Sequence, residues 1–356
     1  MAVFNKNNTG FETKNYPLFL GEELGLFDTV NLTHPKLEEL YQLQLSQIWN
    51  EFEVDLTQDA IDMKNASKDT VDLMVKTLSW QHLADSVASK SIAGLLMPYV
   101  TNSEVEGLVN IWSFFETIHA RSYSHIVKQT FTDANQMLKD TYEDQQVLIR
   151  SEAIVSAFNK LDALPKDSSE LDKSCAILEA LTALFALEAI AFISSFAVTF
   201  AITETGFFQG IGQIVKLICR DEVLHTRMGY TILNILRNDS NWDEAFDKSK
   251  SNIKNILDSV VDQELSWSDY LFSEGRQVVG LNNTLLKEYV LHSAQPLYTA
   301  LGIDYRYPQV LENPLPYMKK YINSSGTQAA PQEIQLTAYK VGAVLDDTDD
   351  LDLGEF

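Results

Sequence analysis

Hydrophobic residues recur along most of this chain with the spacing of helices. In long segments they lie three and four positions apart, which predicts amphipathic helices, while alternating strand patterns are few. The pattern predicts helices over residues 35–52, 66–90, 103–130, 169–204, 213–237, 242–272 and 284–300, with 169–204 forming one helix or two. A polar helical region lies between 131 and 164. The chain is therefore predicted to be all-α.

The two ends of the chain differ from the predicted helical domain, which spans residues 36–322. Residues 1–35 combine Pro, Gly and many Asn residues, which predicts an extended arm with short turns. Residues 323–356 are rich in Ser, Gly, Ala, Pro and Asp, and the last eleven hold six acids and no base. Such a segment buries too little apolar surface to offset its ordering entropy, so we expect a flexible acidic tail.

Composition argues against several classes of protein. A net charge of −23 would repel nucleic acid. Residues 181–203 are apolar enough to span a membrane, but they contain Glu188, lack a Lys/Arg-rich flank and have no second span, so a buried helix of a soluble bundle is favoured. The chain has only two cysteines, and its first residues lack the apolar run of a secretory signal. Both observations are typical of a protein of the reducing cytoplasm.

The most specific pattern is Glu-x-x-His, which occurs twice, as Glu116 with His119 and as Glu222 with His225. Residues at positions i and i+3 project from one helix face and can reach the same metal ions. One such pair is weak evidence, because the chain has six histidines and a match by chance is unremarkable. Both pairs follow apolar residues, which predicts burial and favours a metal site over a surface pair.

Asp85 and Glu188 are lone acids in the apolar helical stretches that precede these pairs. Buried carboxylates are rare unless they are paired or bound to a metal. Four helices that each turn a carboxylate inward, two of them adding a histidine, form the ligand set of a dinuclear centre in a four-helix bundle. Carboxylates combined with imidazole suit iron or manganese. His82, three residues before Asp85, is interpreted as a packing or supporting residue.

Tyr123 bears on what such a centre does. It lies four residues after His119 and shares its helix face. A dinuclear iron site alone is compatible with iron storage, oxygenation, desaturation or radical generation. An apolar cage around the phenol suits a one-electron oxidised tyrosine, and the alternative is a core tyrosine hydrogen-bonded to a ligand; position alone leaves both open. Apolar residues on the faces of the ligands are candidates for the cage: Phe192, Phe196 and Ile218.

Four motifs together resemble the small (beta) subunit of class I ribonucleotide reductase, most closely class Ia: WQHLADS around Asp85, ETIHARSY, LEAIAF around Glu188, and RDEVLH. The resemblance runs from about residue 35 to the C-terminus, and an Asp as the first ligand is typical of the family. It implies a ferritin-like helical bundle with a dinuclear metal site in its core. The chain is short between residues 131 and 180, and no N-terminal regulatory extension is evident; neither departure concerns the site.

The resemblance implies a role for each candidate residue. One metal site would consist of Asp85, Glu116 and His119. The other would consist of Glu188, Glu222 and His225, with Glu116 and Glu222 able to bridge. Tyr123 would be the radical tyrosine, with a hydrophobic pocket formed by Phe192, Phe196 and Ile218. A path for the radical would begin at Trp49 near the metal site, with Asp221 hydrogen-bonded between Trp49 and a ligand histidine. It would continue through Glu333 and Tyr339 of the tail. Without the resemblance, Trp49 is a core tryptophan and Tyr339 a stray aromatic residue of the tail.

The implied activity is that of ribonucleoside-diphosphate reductase. Two iron ions, or a dimanganese or Mn/Fe pair on the same ligands, would react with O2 and oxidise Tyr123 to a tyrosyl radical. The radical would pass to a separate large (alpha) catalytic subunit, which reduces ribonucleotides to deoxyribonucleotides. The resemblance also implies a homodimer and a C-terminal tail that docks on the large subunit through Leu351, Leu353 and Phe356. The residues alone slightly favour a solubilising tail.

Two other functions compete with this interpretation. A dimetal monooxygenase or ligand-binding oxidase predicts an open hydrophobic pocket at the metals and turnover without a partner. A ferritin-like iron-storage or structural bundle predicts many irons per chain, or none. The chain has no phosphate-binding glycine motif, since GFFQGIG at residues 206–212 lacks both the spacing and the lysine. The lack of such a motif agrees with a subunit that does not itself bind the nucleotide substrate.

Overall fold

The fold is built almost entirely from helices. The computed structural model describes residues 4–322, whereas residues 1–3 and 323–356 lie outside the described part. Within 4–322 the only extended pairings are two isolated bridges, Phe19 with Val100 and Val278 with Leu281. The prediction of an all-α chain is confirmed.

The helices of the described part are numbered in chain order. They are α1 Gly10–Thr13, α2 Pro35–Ser46, α3 Thr57–Asn65, α4 Lys68–Leu96, α5 Ser103–Thr130, α6 Ala134–Glu143, α7 Gln145–Asp162, α8 Glu170–Ala186, α9 Ile193–Thr203, α10 Gln209–Arg237, α11 Asp243–Leu271, α12 Asn283–Leu301 and α13 Lys319–Ile322. A π-helical turn, Leu187–Phe192, joins α8 to α9 without a break, so residues 170–203 form one continuous helical run.

Side-chain caps fix the starts of several long helices. Ser67 accepts a hydrogen bond from the backbone N–H of Thr70 at the start of α4, and Asn102 accepts one from Val105 at the start of α5. Such caps satisfy backbone donors that have no partner inside the helix. The helices that carry Asp85 and the first Glu-x-x-His pair therefore begin at positions that their own sequence specifies.

The continuous run from Glu170 to Thr203 forms the centre of the molecule. It is the one helix among residues 4–322 that is long and apolar enough to cross a membrane, and its most apolar window is wholly buried inside the protein. Around it pack α4, α7, α10, α11 and α12. The interpretation of residues 181–203 as a buried core helix agrees with this packing.

The structure corrects several element boundaries. The helix predicted over 35–52 ends at Ser46, so Trp49 lies in the connection that follows it. The short helix α3 and the π-helical turn were not predicted. The polar region after residue 131 divides into α6 and α7.

The N-terminal arm is attached to the bundle by specific bonds. Glu104, in the first turn of α5, accepts backbone hydrogen bonds from Thr33 and His34. Thr101 Oγ1 accepts one from Gly21. The arm therefore follows the surface of the bundle over the start of α5, with one short helix, α1.

Candidate metal centre

Four side chains from two helices converge in the core. Glu116 and His119 project from α5, and Glu222 and His225 project from α10. One ligand atom from each lies within 4.8 Å of those of the other three, and all four residues are fully buried. The two motifs that the sequence places 106 residues apart therefore form one cluster.

Each histidine faces the glutamates of both helices. His119 Nδ1 lies 2.9 Å from Glu222 Oε1 and 3.6 Å from Glu116 Oε2. His225 Nδ1 lies 2.7 Å from Glu222 Oε2 and 2.9 Å from Glu116 Oε1. The two glutamates thus lie between the two imidazoles, which is where carboxylates that bridge two ions have to be.

Asp85 and Glu188 lie beside this cluster, on α4 and on the π-helical turn. Both are fully buried, and within residues 4–322 none of their four carboxylate oxygens makes a hydrogen bond of regular geometry. Burial, followed by the charges of Glu116 and Glu222, raises the pKa of both carboxyls well above the usual range. Charged carboxylates in this position are costly unless a cation neutralises them.

The clustered residues hold protons in the absence of metal. Burial alone would lower the pKa of His225, but the charge of Glu222 and hydrogen bonds to Glu116 and Glu222 raise it to about 9. Burial likewise opposes the rise at His119, whose pKa the charge of Glu222 lifts well above its usual value. The pKa of Glu116 is lowered despite its burial, because His119 and His225 both face its carboxylate. Protons therefore substitute for metal charge in this cluster.

The donor set fits a dinuclear metal centre. It offers four carboxylates and two imidazoles in a buried space, and several of their polar atoms have no partner within the described part of the chain. Four negative charges match two divalent cations, and mixed oxygen and nitrogen ligands suit iron or manganese. Two cations at short distance repel strongly, and bridging carboxylates compensate for that repulsion.

The π-helical turn places Glu188 in the core. Leu187–Phe192 is fully buried on all sides, so the turn's one acid has no route to solvent. Turns of this kind, with one extra residue, occur often at functional sites because they redirect side chains within a helix. Phe192 and Phe196, predicted for the tyrosine pocket, are fully buried and their rings stack with centroids 5.8 Å apart. Ile218 is also fully buried.

Tyr123 is fully buried next to the centre. Burial and then the charge of Asp85 raise the pKa of its phenol well above the ordinary value. Its hydroxyl makes no hydrogen bond within residues 4–322, so the alternative of a tyrosine bonded to a ligand finds no support there. The ring of His82 stacks on Tyr123 with centroids 6.3 Å apart, and His82 is not part of the four-residue cluster. This position agrees with the packing role expected for His82.

Trp49 connects to the centre through Asp221. The indole Nε1 of Trp49 donates to Asp221 Oδ2 over 2.7 Å, and the same oxygen lies 3.1 Å from His119 Nε2. The rings of Trp49 and His119 are roughly parallel, with centroids 6.2 Å apart. The structure thus joins three residues that the sequence places far apart into one buried hydrogen-bonded chain. Glu333 and Tyr339, predicted to continue the path, lie outside the described residues.

Sequence reasoning missed two residues that support this centre. Trp112 donates through Nε1 to Glu116 Oε1 over 3.0 Å and stacks on His225 at a centroid distance of 5.1 Å. Arg220 donates to Asp221 Oδ1 and to the backbone oxygen of Gln47. Trp112 precedes Glu116 by one helical turn, so helix periodicity was a signal for it. Arg220 had no signal, because its bond to Gln47 depends on packing.

A cavity beside His82, whose ring stacks on Tyr123, does not open onto the ligands. It measures about 710 Å³, lies between α4, α6 and α7, and is lined by His82 and by apolar residues such as Leu83 and Val87. None of the six predicted ligands lines it. The open pocket at the metals that a monooxygenase predicts is therefore not provided by this cavity.

Comparison with known proteins gives a consistent result. Residues 26–314 match the family model for "Ribonucleotide reductase, small chain". The chain is 32% identical to the ribonucleoside-diphosphate reductase subunit beta of Buchnera aphidicola subsp. Baizongia pistaciae, covering 99% of this chain and 97% of that protein. It is 31% identical to ribonucleoside-diphosphate reductase 1 subunit beta of Escherichia coli O157:H7, over the full length of both.

Solved structures of low sequence identity share the fold. A ribonucleotide reductase R2 subunit from Clostridium botulinum has a TM-score of 0.78 at 22% identity, covering 90% of this chain and 98% of that one. The dimanganese(II)-NrdF of Streptococcus sanguinis has a TM-score of 0.67 at 20% identity, covering 85% of this chain and all of the other. The family match, the full-length relatives and the buried cluster agree with the resemblance seen in the sequence, and the chain belongs to the small-chain family of ribonucleotide reductase.

Proposed function

We propose that this chain is the radical-generating subunit of a ribonucleoside-diphosphate reductase, in which Tyr123 is oxidised beside a dinuclear metal centre. The observation that carries the proposal is one buried cluster of Glu116, His119, Glu222 and His225 with an unbonded phenol beside it. The cluster fits a dimetal centre, and the phenol provides a site for a stored radical. Membership of the family makes this chemistry the one to test first.

The metal pair would be held by six residues. Asp85, Glu116 and His119 would hold one ion, and Glu188, Glu222 and His225 the other. Held there in reduced form, an iron pair would supply, with O2, the oxidising equivalent for Tyr123. The same ligands suit a dimanganese or Mn/Fe pair, so iron is proposed rather than required.

The surroundings of Tyr123 suit storage of a radical. The phenol is fully buried, and Phe192, Phe196 and Ile218 are buried on the helices that carry Glu188 and Glu222. An apolar enclosure keeps water and reductants away from the ring. The raised pKa of Tyr123 keeps the resting phenol protonated, so its oxidation removes a proton together with the electron.

The chain of Trp49, Asp221 and His119 would carry the electron between the centre and the surface. Trp49 is almost fully buried, but the same connection exposes Phe52 by 70% and Ile48 by 42%. The indole N–H and the imidazole share one carboxylate oxygen, which holds both rings in place during transfer. Glu333 and Tyr339 of the tail would complete the path.

The partner of this subunit would be a large catalytic subunit, because small chains of this enzyme work with a large chain. We propose that the acidic C-terminal tail docks there through Leu351, Leu353 and Phe356. Apolar anchors bind a groove, and the surrounding acids steer the encounter. We also propose a homodimer as the functional form.

Electron paramagnetic resonance tests the proposal directly. Metal-free protein is loaded anaerobically with Fe(II) and exposed to O2, alongside Tyr123→Phe and a control, Tyr289→Phe, which alters another fully buried tyrosine. We expect a tyrosyl signal in wild type and in Tyr289→Phe, and none in Tyr123→Phe, with two irons bound in all three. A diiron centre without a tyrosyl radical in wild type would contradict the proposal and point to manganese loading or to oxygenase chemistry.

A further inference from the structure

A buried arginine from α7 reaches the core near the π-helical turn. Arg150 is 2% exposed and pairs with Glu264 of α11 through two hydrogen bonds, of 2.6 Å from Nε and 2.7 Å from Nη2. Its guanidinium lies 3.5 Å from the ring centroid of Trp80 and 4.7 Å from that of Trp267. We call these four residues the Arg150 clamp. No step of the proposed mechanism uses them.

The ion pair by itself does not explain the clamp. Removing two charges from water costs about as much as their attraction returns, and well-packed apolar residues in such a place are often equally stable. A fully buried pair therefore invites a search for what else its donors hold. Burial lowers the pKa of Arg150, yet the charge of Glu264 counters that effect and keeps the guanidinium available as a donor.

The remaining hydrogen bonds of Arg150 go to the run that bears Glu188. Nη2 donates to the backbone oxygen of Ala191 over 3.1 Å and to Ser195 Oγ over 2.8 Å. Ala191 belongs to the π-helical turn Leu187–Phe192. A π-helical turn departs from the regular i to i+4 bonding of the helix, so its carbonyls benefit from a side-chain donor.

The clamp also contacts the turn through an aromatic ring. Trp80 packs on Phe192, the last residue of the turn, with centroids 5.3 Å apart and a tilt of 58°. The turn is thus held at a carbonyl by Arg150 and at a ring by Trp80. Both contacts lie within four residues of Glu188, whose buried carboxylate has no hydrogen bond of regular geometry in the described part of the molecule.

We propose that Arg150 is a positioning residue for Glu188: the clamp stabilises the π-helical turn and thereby sets the metal position formed by Glu188, Glu222 and His225. The inference rests on the proposed function, because it assigns a task toward the dimetal centre. Within residues 4–322 the hydrogen bonds of Arg150 reach none of the helices α4, α5 and α10 that carry the other ligands, and its contact with α4 is with the ring of Trp80, five positions before Asp85. Its loss therefore acts on one metal position more than on the other.

The variants separate the donor from the ion pair. Arg150→Met with Glu264→Leu replaces the pair by apolar groups of similar size and leaves no buried charge without a partner. Glu264→Gln keeps an acceptor oxygen for Arg150 and so preserves its bonds to Ala191 and Ser195, although it leaves the guanidinium charge without a counter-ion and should lower the stability of the fold. Arg276→Met is the matched control, since Arg276 is also buried and donates to backbone oxygens, those of Tyr270 and Leu271 at the end of α11. Circular dichroism verifies that each variant is folded.

Titration of the metal-free proteins with Mn²⁺ is the first test. Free Mn²⁺ is followed by electron paramagnetic resonance, which yields one dissociation constant for each ion. We expect wild type, Glu264→Gln and Arg276→Met to bind two ions alike. The double variant should bind one ion as wild type does and the second about 10- to 100-fold more weakly, which is the usual effect of losing a residue that supports a ligand. Two wild-type constants in the double variant would overturn the inference.

Hydrogen exchange of the metal-free proteins gives a second test that needs no metal. Amides of residues 187–195 should exchange faster in the double variant, and at wild-type rates in Glu264→Gln and Arg276→Met. Unchanged exchange in the double variant would also overturn the inference. A wild-type chain that binds fewer than two Mn²⁺ would instead contradict the proposed function. The exchange rates would then still show whether the Arg150 clamp stabilises the π-helical turn.

Discussion

At the scale of single residues, one oxygen of Asp221 connects the radical path to the metal centre. Asp221 Oδ2 accepts the indole N–H of Trp49 and faces His119 Nε2. Burial opposes its ionisation, but the positive charge of Arg220 and the hydrogen bonds from His119 and Trp49 lower its pKa below the usual value. Asp221 therefore stays anionic and accepts from both rings.

Replacement of Asp221 by Asn tests this connection. The amide keeps the size, but its NH2 group has to face either Arg220 or the two rings, all of which donate to Asp221 in the wild type. Because Asp221 also supports the ligand His119, the variant is compared with wild type after both are loaded with two metal ions, and we expect Asp221→Asn to lower ribonucleotide reduction with the large subunit about 10- to 100-fold. The control is Asp258→Asn on α11, which makes the same change at an acid that accepts a hydrogen bond from the Tyr298 hydroxyl. Reduction at the wild-type rate would contradict the proposed path.

The protonated state of the metal-free cluster predicts how its stability depends on pH. The pKa of His225 rises from 6.5 in the unfolded chain to about 9 in the fold, and a raised histidine pKa contributes stability below 6.5 that is lost as pH rises through 9. The pKa values of Asp85 and Glu188 are also raised in the fold, so these carboxyls likewise make the metal-free fold less stable as pH rises above 4. Calorimetry of the metal-free chain should show Tm falling from pH 6 to pH 9. A Tm that rises between pH 6 and pH 9 would contradict the protonated state assigned to the metal-free cluster.

At the scale of elements, α3 holds the start of the helix that carries the second Glu-x-x-His pair. Asp59 accepts the backbone N–H groups of Gly210 and Ile211, and Asp62 accepts that of Phe208. Position 210 has to be glycine, because a Cβ there would lie 2.4 Å from Asp59 Oδ2 and 2.7 Å from the backbone oxygen of Asp55. A cap supplied by another helix thus sets where α10 begins.

Removal of this cap should destabilise the fold without altering the ligands. Asp59→Ala leaves two backbone donors of α10 without their acceptor, so we expect the free energy of unfolding to fall by about 1–2 kcal/mol. Urea unfolding followed by circular dichroism measures it. Asp140→Ala, an exposed acid on α6, serves as control and should change stability by less than about 0.5 kcal/mol. Equal stability of Asp59→Ala and wild type would show that the cap contributes nothing.

At the scale of the whole molecule, the helical bundle encloses the chemistry, and the acidic tail is proposed to bring the partner to it. The apolar run from Glu170 to Thr203 packs against the ligand-bearing helices α4 and α10, and the third, α5, packs on those two. None of the six predicted ligands is exposed. An enclosed centre has to send its oxidising equivalent outward, so docking of a partner is part of the function.

A peptide with the sequence of residues 346–356 should compete for the large subunit. We expect it to inhibit ribonucleotide reduction in a concentration-dependent manner while leaving the tyrosyl signal of this chain unchanged, because it displaces the tail and not the metals. A scrambled peptide of the same composition tests whether charge alone suffices. Equal inhibition by both peptides would contradict docking through Leu351, Leu353 and Phe356 and would favour a merely electrostatic or solubilising tail.

The fold class and the candidate ligands were predictable because their signals are local. Helical spacing of apolar residues indicated the long helices other than α7, which lies in the region predicted only as polar and helical. The two Glu-x-x-His pairs with Asp85 and Glu188 indicated a buried centre through residue type and spacing alone. The end of α2 at Ser46 was missed, because apolar residues continue beyond it to Phe52 and periodicity does not register a stop. Trp49 thus belongs to a connection and reaches Asp221 from there.

By itself, the sequence determined an all-α bundle and the chemical types of the side chains at its centre, since period and residue type are properties of neighbouring positions. Only the tertiary structure decided the contacts between distant ones. Trp49 meets Asp221 across 172 positions, His119 meets it across 102, and Arg150 reaches Ala191 across 41. The π-helical turn is also a feature that only the tertiary structure decided. Its sequence, LEAIAF, contains good α-helix formers, and nothing in it indicates an extra residue in the turn. Packing of whole helices creates such contacts, and no local pattern encodes it.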